Sequence, residues 1–371
     1  MNKLFILLII ITFLKVDAQV TIDVIDTLNY KPASGLREYY TNINNAELAI
    51  IEKEYLKASQ LYYKAFEYKV PFMQDLQNSN NIDKKLPFDS VRFQNQLVLW
   101  RRISTNYNST KEYLNFIVKF YPNIDSNIIL SYYPVIDTVK NISKLNKKLI
   151  AKVDSLEQKD QYIRKNKVTS QEFRSTDTSD YYSLLKLFSD YKINENTIKK
   201  KGIYSIDLIL LHASRYGFTE WIPIIYKEVM KGNYSNRRFA ALLDSYLQNN
   251  FSTNLDSSAY AYISGFALYD KYVIPKNELT AKNLEKINKR RNILMLDNYK
   301  NQQKKQIWNF RNSNKITFYE YFSYIFVFPE ASEQEKTEAK KEQEQILSNI
   351  KKKYNDLLIF NKDSDNYDIN L

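Results

Sequence analysis

No cysteine occurs in the 371 residues, so disulfides, thiolate metal sites, a cysteine nucleophile and a lipidated cysteine anchor are all excluded. A single histidine, His212, leaves any zinc site dependent on carboxylates for most of its ligands, an unusual donor set, and no metal site is expected. Five glycines and eight prolines are too few for a turn-dense β protein. No stretch after the N-terminus approaches the roughly 18 consecutive apolar residues of a membrane-spanning helix. The chain also lacks G-x-S-x-G, a glycine-rich phosphate loop and H-E-x-x-H, which removes the common hydrolase, nucleotide-binding and zinc-protease signatures and implies no cofactor.

The start, MNKLFILLIIITFLKVDAQ, places Lys3 before the apolar run Leu4 to Leu14, followed by the small residues of Val16-Asp17-Ala18. It is expected to be a signal peptide, residues 1–18, cleaved after Ala18, which directs the chain to the periplasm, cell surface or medium. Cleavage removes Lys3, Lys15 and Asp17, so the formal net charge falls from +12 to +11. That balance permits peripheral contact with an anionic envelope surface. The lysines are spread along the chain among many Asn, Ile and Tyr residues, and a nucleic-acid partner is not expected.

Residues 19–44 carry short extended-looking pieces with the breakers Pro32 and Gly35 and are expected to form a lead-in arm. Beyond it, Ala46, Ala49, Tyr55, Ala58, Tyr62 and Ala65 recur at steps of three and four, the spacing of two helices that approach through alanine with tyrosines beside them. Phe72 to Leu86 and Asp89 to Ser104 predict a second pair divided at Pro87. Ser109 and Glu112 have the spacing of a capping box, ahead of a helix that Pro122 stops. One long helix is predicted from Pro134 to about Asn166, then a polar loop or partial break to Asp180, then helices over Tyr181–Tyr191, Ile203–Tyr216, Ile222–Met230, Arg237–Asn249 and Leu279–Phe310. Residues 313–371 read as a buried aromatic helix, a charged helix and a loose tail, whose aspartates lack the turn glycine and closing glutamate of a calcium loop.

The alanine and tyrosine series, with Pro71 behind it, resembles a tetratricopeptide-repeat hairpin. A lone repeat cannot bury its apolar face, so the resemblance implies a stack over residues 45–130. Further on, Asp160-Gln161-x-x-Arg164, the His212-Ala213 pair and Leu242-Leu243-Asp244 resemble, in order and interval, an uncharacterised family of secreted bacterial helical domains. That resemblance covers about 145–300 and implies that Asp160, Gln161, Arg164, Asp177, His212 and Asp244 converge. Asp180, Leu211 and Ser245 stand where the family has Asn, Gln and Arg, and its closing Tyr-Gly-Thr-Gln survives at best as residues 261–265. The expected fold is all-α: a tetratricopeptide-like hairpin stack followed by a second helical domain at 131–312.

Two readings of function stand side by side. In the first, the stack presents a tyrosine-rich groove, with Tyr62, Tyr63, Phe66 and Trp100 as binding residues, to a protein or peptide partner. In the second, the chain is a hydrolase-like enzyme in which His212 is the acid or base, oriented by Asp160 or Asp244. Ile206, Ile209, Leu210, Leu211 and Ala213 make the helix around His212 apolar nearly all round, so the imidazole needs a buried partner in either case.

Overall fold

The computed structural model describes residues 27–103, 109–139, 146–166, 168–191, 200–251 and 280–311, with shorter stretches between and beyond them. Fourteen helices among the described residues make the fold all-α, as its few glycines and prolines predict. The expected signal peptide and almost all of the aromatic and charged segments at 316–354 lie outside the described residues.

The first hairpin joins α1 (Leu36–Ile51) to α2 (Tyr55–Tyr68). Ala46, Ala49, Ala58 and Ala65 are almost wholly buried, which lets the two backbones approach, and Tyr39, Ile43 and Tyr62 fill the space beside them. Each such side chain removed from water contributes about 1.5–3 kcal/mol. The expected arm is shorter than its predicted limit of residue 44, because Gly35 starts α1. Its φ of 76° is open to glycine at no steric cost, and a Cβ there would press on the Tyr68 ring at 3.3 Å.

Helices α3 (Met73–Asp83) and α4 (Ser90–Ile103) form the second pair. The Ser109 side chain accepts from the backbone N–H of Glu112 and starts α5 (Thr110–Phe120), so the predicted N-cap is present. Short helices α6 (Ser126–Ser131) and α7 (Tyr133–Asp137) follow. The single long helix predicted from Pro134 to Asn166 does not form. The chain leaves helix after α7 and restarts at α8 (Lys147–Lys165), where the Asn146 side chain accepts from the N–H of Leu149. A stripe of apolar periodicity continues across such a break because both helices pack inward.

A second correction concerns the polar run after Asn166, predicted as a loop or partial break. From Ser170 it is the first half of α9 (Ser170–Asp190), opened by a complete capping box between Thr169 and Glu172. Helices α10 (Lys200–Ser214), α11 (Trp221–Met230) and α12 (Asn236–Phe251) complete the central bundle, in which α10 packs against α8, α9 and α12. The helix predicted over Leu279–Phe310 is two, α13 (Ala281–Ile293) and α14 (Tyr299–Arg311). Met295, at φ 58°, turns the chain between them.

Four strands of four residues each make a small sheet in the order β1 (Phe266–Tyr269), β2 (Tyr272–Pro275), β4 (Asn366–Ile369), β3 (Leu358–Asn361). The tail read as loose therefore contributes a hairpin, with β4 pairing parallel to β2.

The main core runs across residue 130, the boundary drawn between the two expected domains. Tyr39, Ile43 and Tyr62 of the first hairpin belong to the same buried cluster as Leu184, Ile206, Ile225 and Leu243. Gly232 shows how close the parts come: a Cβ there would meet Leu36 Cδ1 and Lys69 Cε at 3.0 Å. Buried charge adds a second tie. Glu47 takes Arg237 at 2.6 Å and Lys305 at 2.6 Å, and Lys305 also binds Asp297, so α1, α12 and α14 meet through one ion network. A separate, smaller core of Phe93, Leu97, Tyr113, Leu114, Ile117, Ile129 and Ile136 serves α4–α7.

Candidate functional site

The residues singled out around His212 largely converge. His212 lies near the end of α10 and is 6% exposed; Asp160, one turn from the end of α8, is 1% exposed. His212 Nδ1 is 2.7 Å from Asp160 Oδ1. An ionised carboxylate has only acceptors, so this contact fixes the proton on Nδ1. Arg164, one turn along α8, donates to the same Oδ1 through Nε at 3.2 Å and Nη2 at 3.0 Å. Gln161 Nε2 donates to Oδ2 at 2.9 Å.

From α9, Asp177 accepts from Arg164 Nη2 at 2.5 Å and from the Tyr216 hydroxyl at 3.1 Å. Burial pushes the Asp160 carboxyl up, but His212 and Arg164 beside it hold it below the usual carboxylate range. Asp180, on the same helix and equally buried, accepts from Lys159 Nζ at 2.8 Å. There desolvation wins over Lys159 and raises the carboxyl.

Asp244 is used differently from the other five. Its Oδ1 accepts from the backbone N–H groups of Ala259 and Tyr260, both at 3.0 Å, and thereby pins the segment after α12. Of the two aspartates expected to orient the imidazole, Asp160 is the one in contact with it.

Donor atoms of Asp160, Asp177 and His212 lie within 4.8 Å of one another, a spacing compatible with a metal ion. The donor set argues for a different occupant of that space: the Arg164 guanidinium lies within hydrogen-bond distance of both carboxylates and supplies the positive charge. A cation would have to displace it. As arranged, the cluster is a buried polar hub joining α8, α9 and α10, with Asp160 accepting from three side chains.

The proposed binding tyrosines do not line a groove. Tyr62 is wholly buried and Phe66 is 8% exposed, while Tyr63 and Trp100 are half-buried and pack against the core. The correction has a simple cause: the face that brings two helices together through alanine is the interior face, and the tyrosines on it are consumed by packing. Tyr63 is anchored further by donating to Asp83 at 2.7 Å.

An open cleft lies nearby, between the α3–α4 connection and the end of α5, with a volume of about 410 Å³. That lies within the range of small-molecule and side-chain pockets. Its walls include Lys84, Phe88, Arg92, Phe93, Phe120 and Tyr121. Phe88 and Phe120 are about half exposed. The Lys84 ammonium sits 4.3 Å from the Phe120 ring centre and 4.6 Å from that of Tyr121. On the cleft wall Asp83 accepts from Ser59 at 2.6 Å and Gln96 at 2.7 Å besides Tyr63. Burial raises its carboxyl against the pull of these donors.

None of these cleft residues was singled out from the sequence, although one signal was available. Phe88 follows Pro87 directly and Phe120 lies two residues before Pro122, and an aromatic next to a helix breaker has no assured interior face. Comparison with protein-family models, with curated proteins and with solved structures finds no match for this chain.

Proposed function

We propose that the chain is an exported binding or scaffolding protein that presents the cleft bounded by α3, α4 and α5 to a protein or peptide partner. The observation that carries this reading is the distribution of exposed apolar side chains. Eight of the fifteen large exposed hydrophobics among the described residues fall between Phe88 and Val135, the part of the chain that the smaller core serves. Exposed apolar surface gathered on one module is the usual mark of an interaction site, whereas scattered single residues are not. Export by the N-terminal segment and kinship with tetratricopeptide-like stacks and with the DQxxR family belong to the same proposal.

The test is a peptide selection on the immobilised chain, followed by affinity measurement on purified variants. Phe88→Ala and Phe120→Ala are expected to weaken a selected peptide by about tenfold each, the effect of losing a buried aromatic anchor worth roughly 1.4 kcal/mol. If both variants bind like the unaltered chain, the cleft is not the site.

A second reading rests on the His212–Asp160 contact, which has the base and orienter of an acid–base pair. It requires substrate to reach the ring through the 6% of its surface that is exposed. A hydrolytic activity found in the purified chain and abolished by His212→Asn, with folding intact, would favour it.

A further inference from the structure

Resting on the reading of the cleft as a peptide site, we infer that its occupant is an acidic segment carrying aromatic or aliphatic anchors, with one carboxylate seated on Arg92.

Arg92 is half-buried in the cleft wall, on the first turn of α4. Its Nη2 donates to the Pro87 carbonyl at 2.6 Å, which fixes the guanidinium plane against the α3–α4 connection. Its Nε and Nη1 meet no acceptor among the described residues. A guanidinium held in one orientation with donors unused matches a carboxylate better than any other common peptide group, because the charge-assisted contact is about twice as strong as a neutral one.

Of the acidic groups of the cleft wall, Asp83 is near enough to Arg92 for the guanidinium to pull its carboxyl down, yet neither Asp83 nor Asp89 is hydrogen-bonded to the Arg92 side chain among the described residues. Asp83 is engaged by Ser59, Tyr63 and Gln96, three neutral donors from the interior side. Asp89 Oδ1 accepts from the backbone N–H of Arg92 at 2.8 Å and so serves the start of α4. Lys84, held over the Phe120 and Tyr121 rings, adds a second positive charge at the same mouth.

Charge over the surrounding segment agrees. Residues 83–125 contain seven cations, Lys84, Lys85, Arg92, Arg101, Arg102, Lys111 and Lys119, against the four acids Asp83, Asp89, Glu112 and Asp125, a net of +3 in a chain whose total is +12. That local excess attracts an acidic partner and repels a basic one.

The apolar half of recognition comes from a continuous row of rings. Phe116 contacts Phe120 with centroids 5.8 Å apart, Phe120 contacts Tyr121 at 5.2 Å, Tyr121 contacts Phe93 at 5.2 Å, and Phe93 contacts Phe88 at 5.7 Å. The row begins and ends on exposed rings and passes through the cleft between them. An aromatic side chain next to the bound carboxylate finds an edge or a face to pack on at either end.

The test uses fluorescence anisotropy on the full chain with three short labelled peptides that alternate Phe with Glu, with Gln or with Lys, and with vesicles of phosphatidylglycerol or phosphatidylcholine. The Glu–Phe peptide is expected to bind at least about tenfold more tightly than the Gln–Phe peptide, a margin that shrinks as salt is added. Arg92→Gln is expected to erase the margin, chiefly by weakening the Glu–Phe peptide. Arg92→Lys, which keeps the charge and loses the fork, falls between. Phe120→Ala weakens both peptides.

Equal binding of the Glu and Gln peptides, both weakened by Phe120→Ala, would overturn the acidic preference and leave the cleft reading standing. Preference for the Lys–Phe peptide would do the same. Binding to phosphatidylglycerol vesicles with no peptide bound would overturn the inference and the cleft reading together, assigning the apolar surface to a membrane.

Discussion

Asp75 is buried beneath the first hairpin, where it accepts from the Tyr39 hydroxyl at 2.5 Å. Burial raises its carboxyl to about 6, against the opposing pull of Arg237, Tyr39 and Lys69. A carboxyl whose folded value exceeds its unfolded value of about 3.9 binds its proton more tightly in the folded chain. Its contribution to stability is therefore lost as the pH rises from about 4 to 6, and the cost above pH 6 is at most about 2–3 kcal/mol. Asp75→Asn is expected to become progressively more stable than the unaltered chain across that window, read as urea midpoints at several pH values; parallel curves would contradict it. Asp160 has the opposite sign, because its carboxyl is held down: its stabilisation is present above the ordinary carboxylate range and is lost as the pH falls through its lower folded value. Replacing Asp160 by alanine strands His212 and Gln161 and leaves Arg164 with Asp177 alone, and a loss of about 3 kcal/mol in equilibrium unfolding is expected.

Among the elements, α9 shows how the chain sets its own limits. Thr169 accepts from the N–H of Glu172 at 3.2 Å, while the Glu172 carboxylate accepts from the N–H of Thr169 at 2.7 Å. Thr169→Ala should cost about 1 kcal/mol in unfolding free energy, with protection from hydrogen exchange falling first in the turn that carries Asp177. The same Thr-x-x-Glu pattern stands in the sequence, yet Ser170 to Asp180 reads as a loop because polar residues crowd it. Its inward positions include Asp177 and Asp180, polar groups that take charged partners, Arg164 and Lys159, from another helix. Hydrophobic periodicity has no access to such a helix, whereas the alanine-spaced hairpin of α1 and α2 is legible because small apolar residues alone let helices approach. The meeting of Asp160, Arg164, Asp177 and His212 was anticipated through order and interval. The role of Asp244 was not, since the N–H groups it accepts from are backbone groups without a sequence signature.

On the scale of the molecule, one core joins the first hairpin to the central bundle while α4–α7 keep a core of their own. Glu47 is the electrostatic centre of the first arrangement, and Glu47→Gln, which leaves Arg237 and Lys305 short of negative charge in the interior, should cost about 3 kcal/mol or more. The smaller core predicts that α4–α7 open to hydrogen exchange at lower free energy than α10 and α12. The less stable module carries the proposed interaction surface, and the more stable one holds the buried polar hub. The most direct test of this division is hydrogen exchange of the full chain with and without the Glu–Phe peptide. Slowed exchange is expected in α3, α4 and α5 around Lys84, Arg92 and Phe120, with α8 and α10 unchanged; protection centred on Asp160 and His212 would place the binding surface at the polar hub instead.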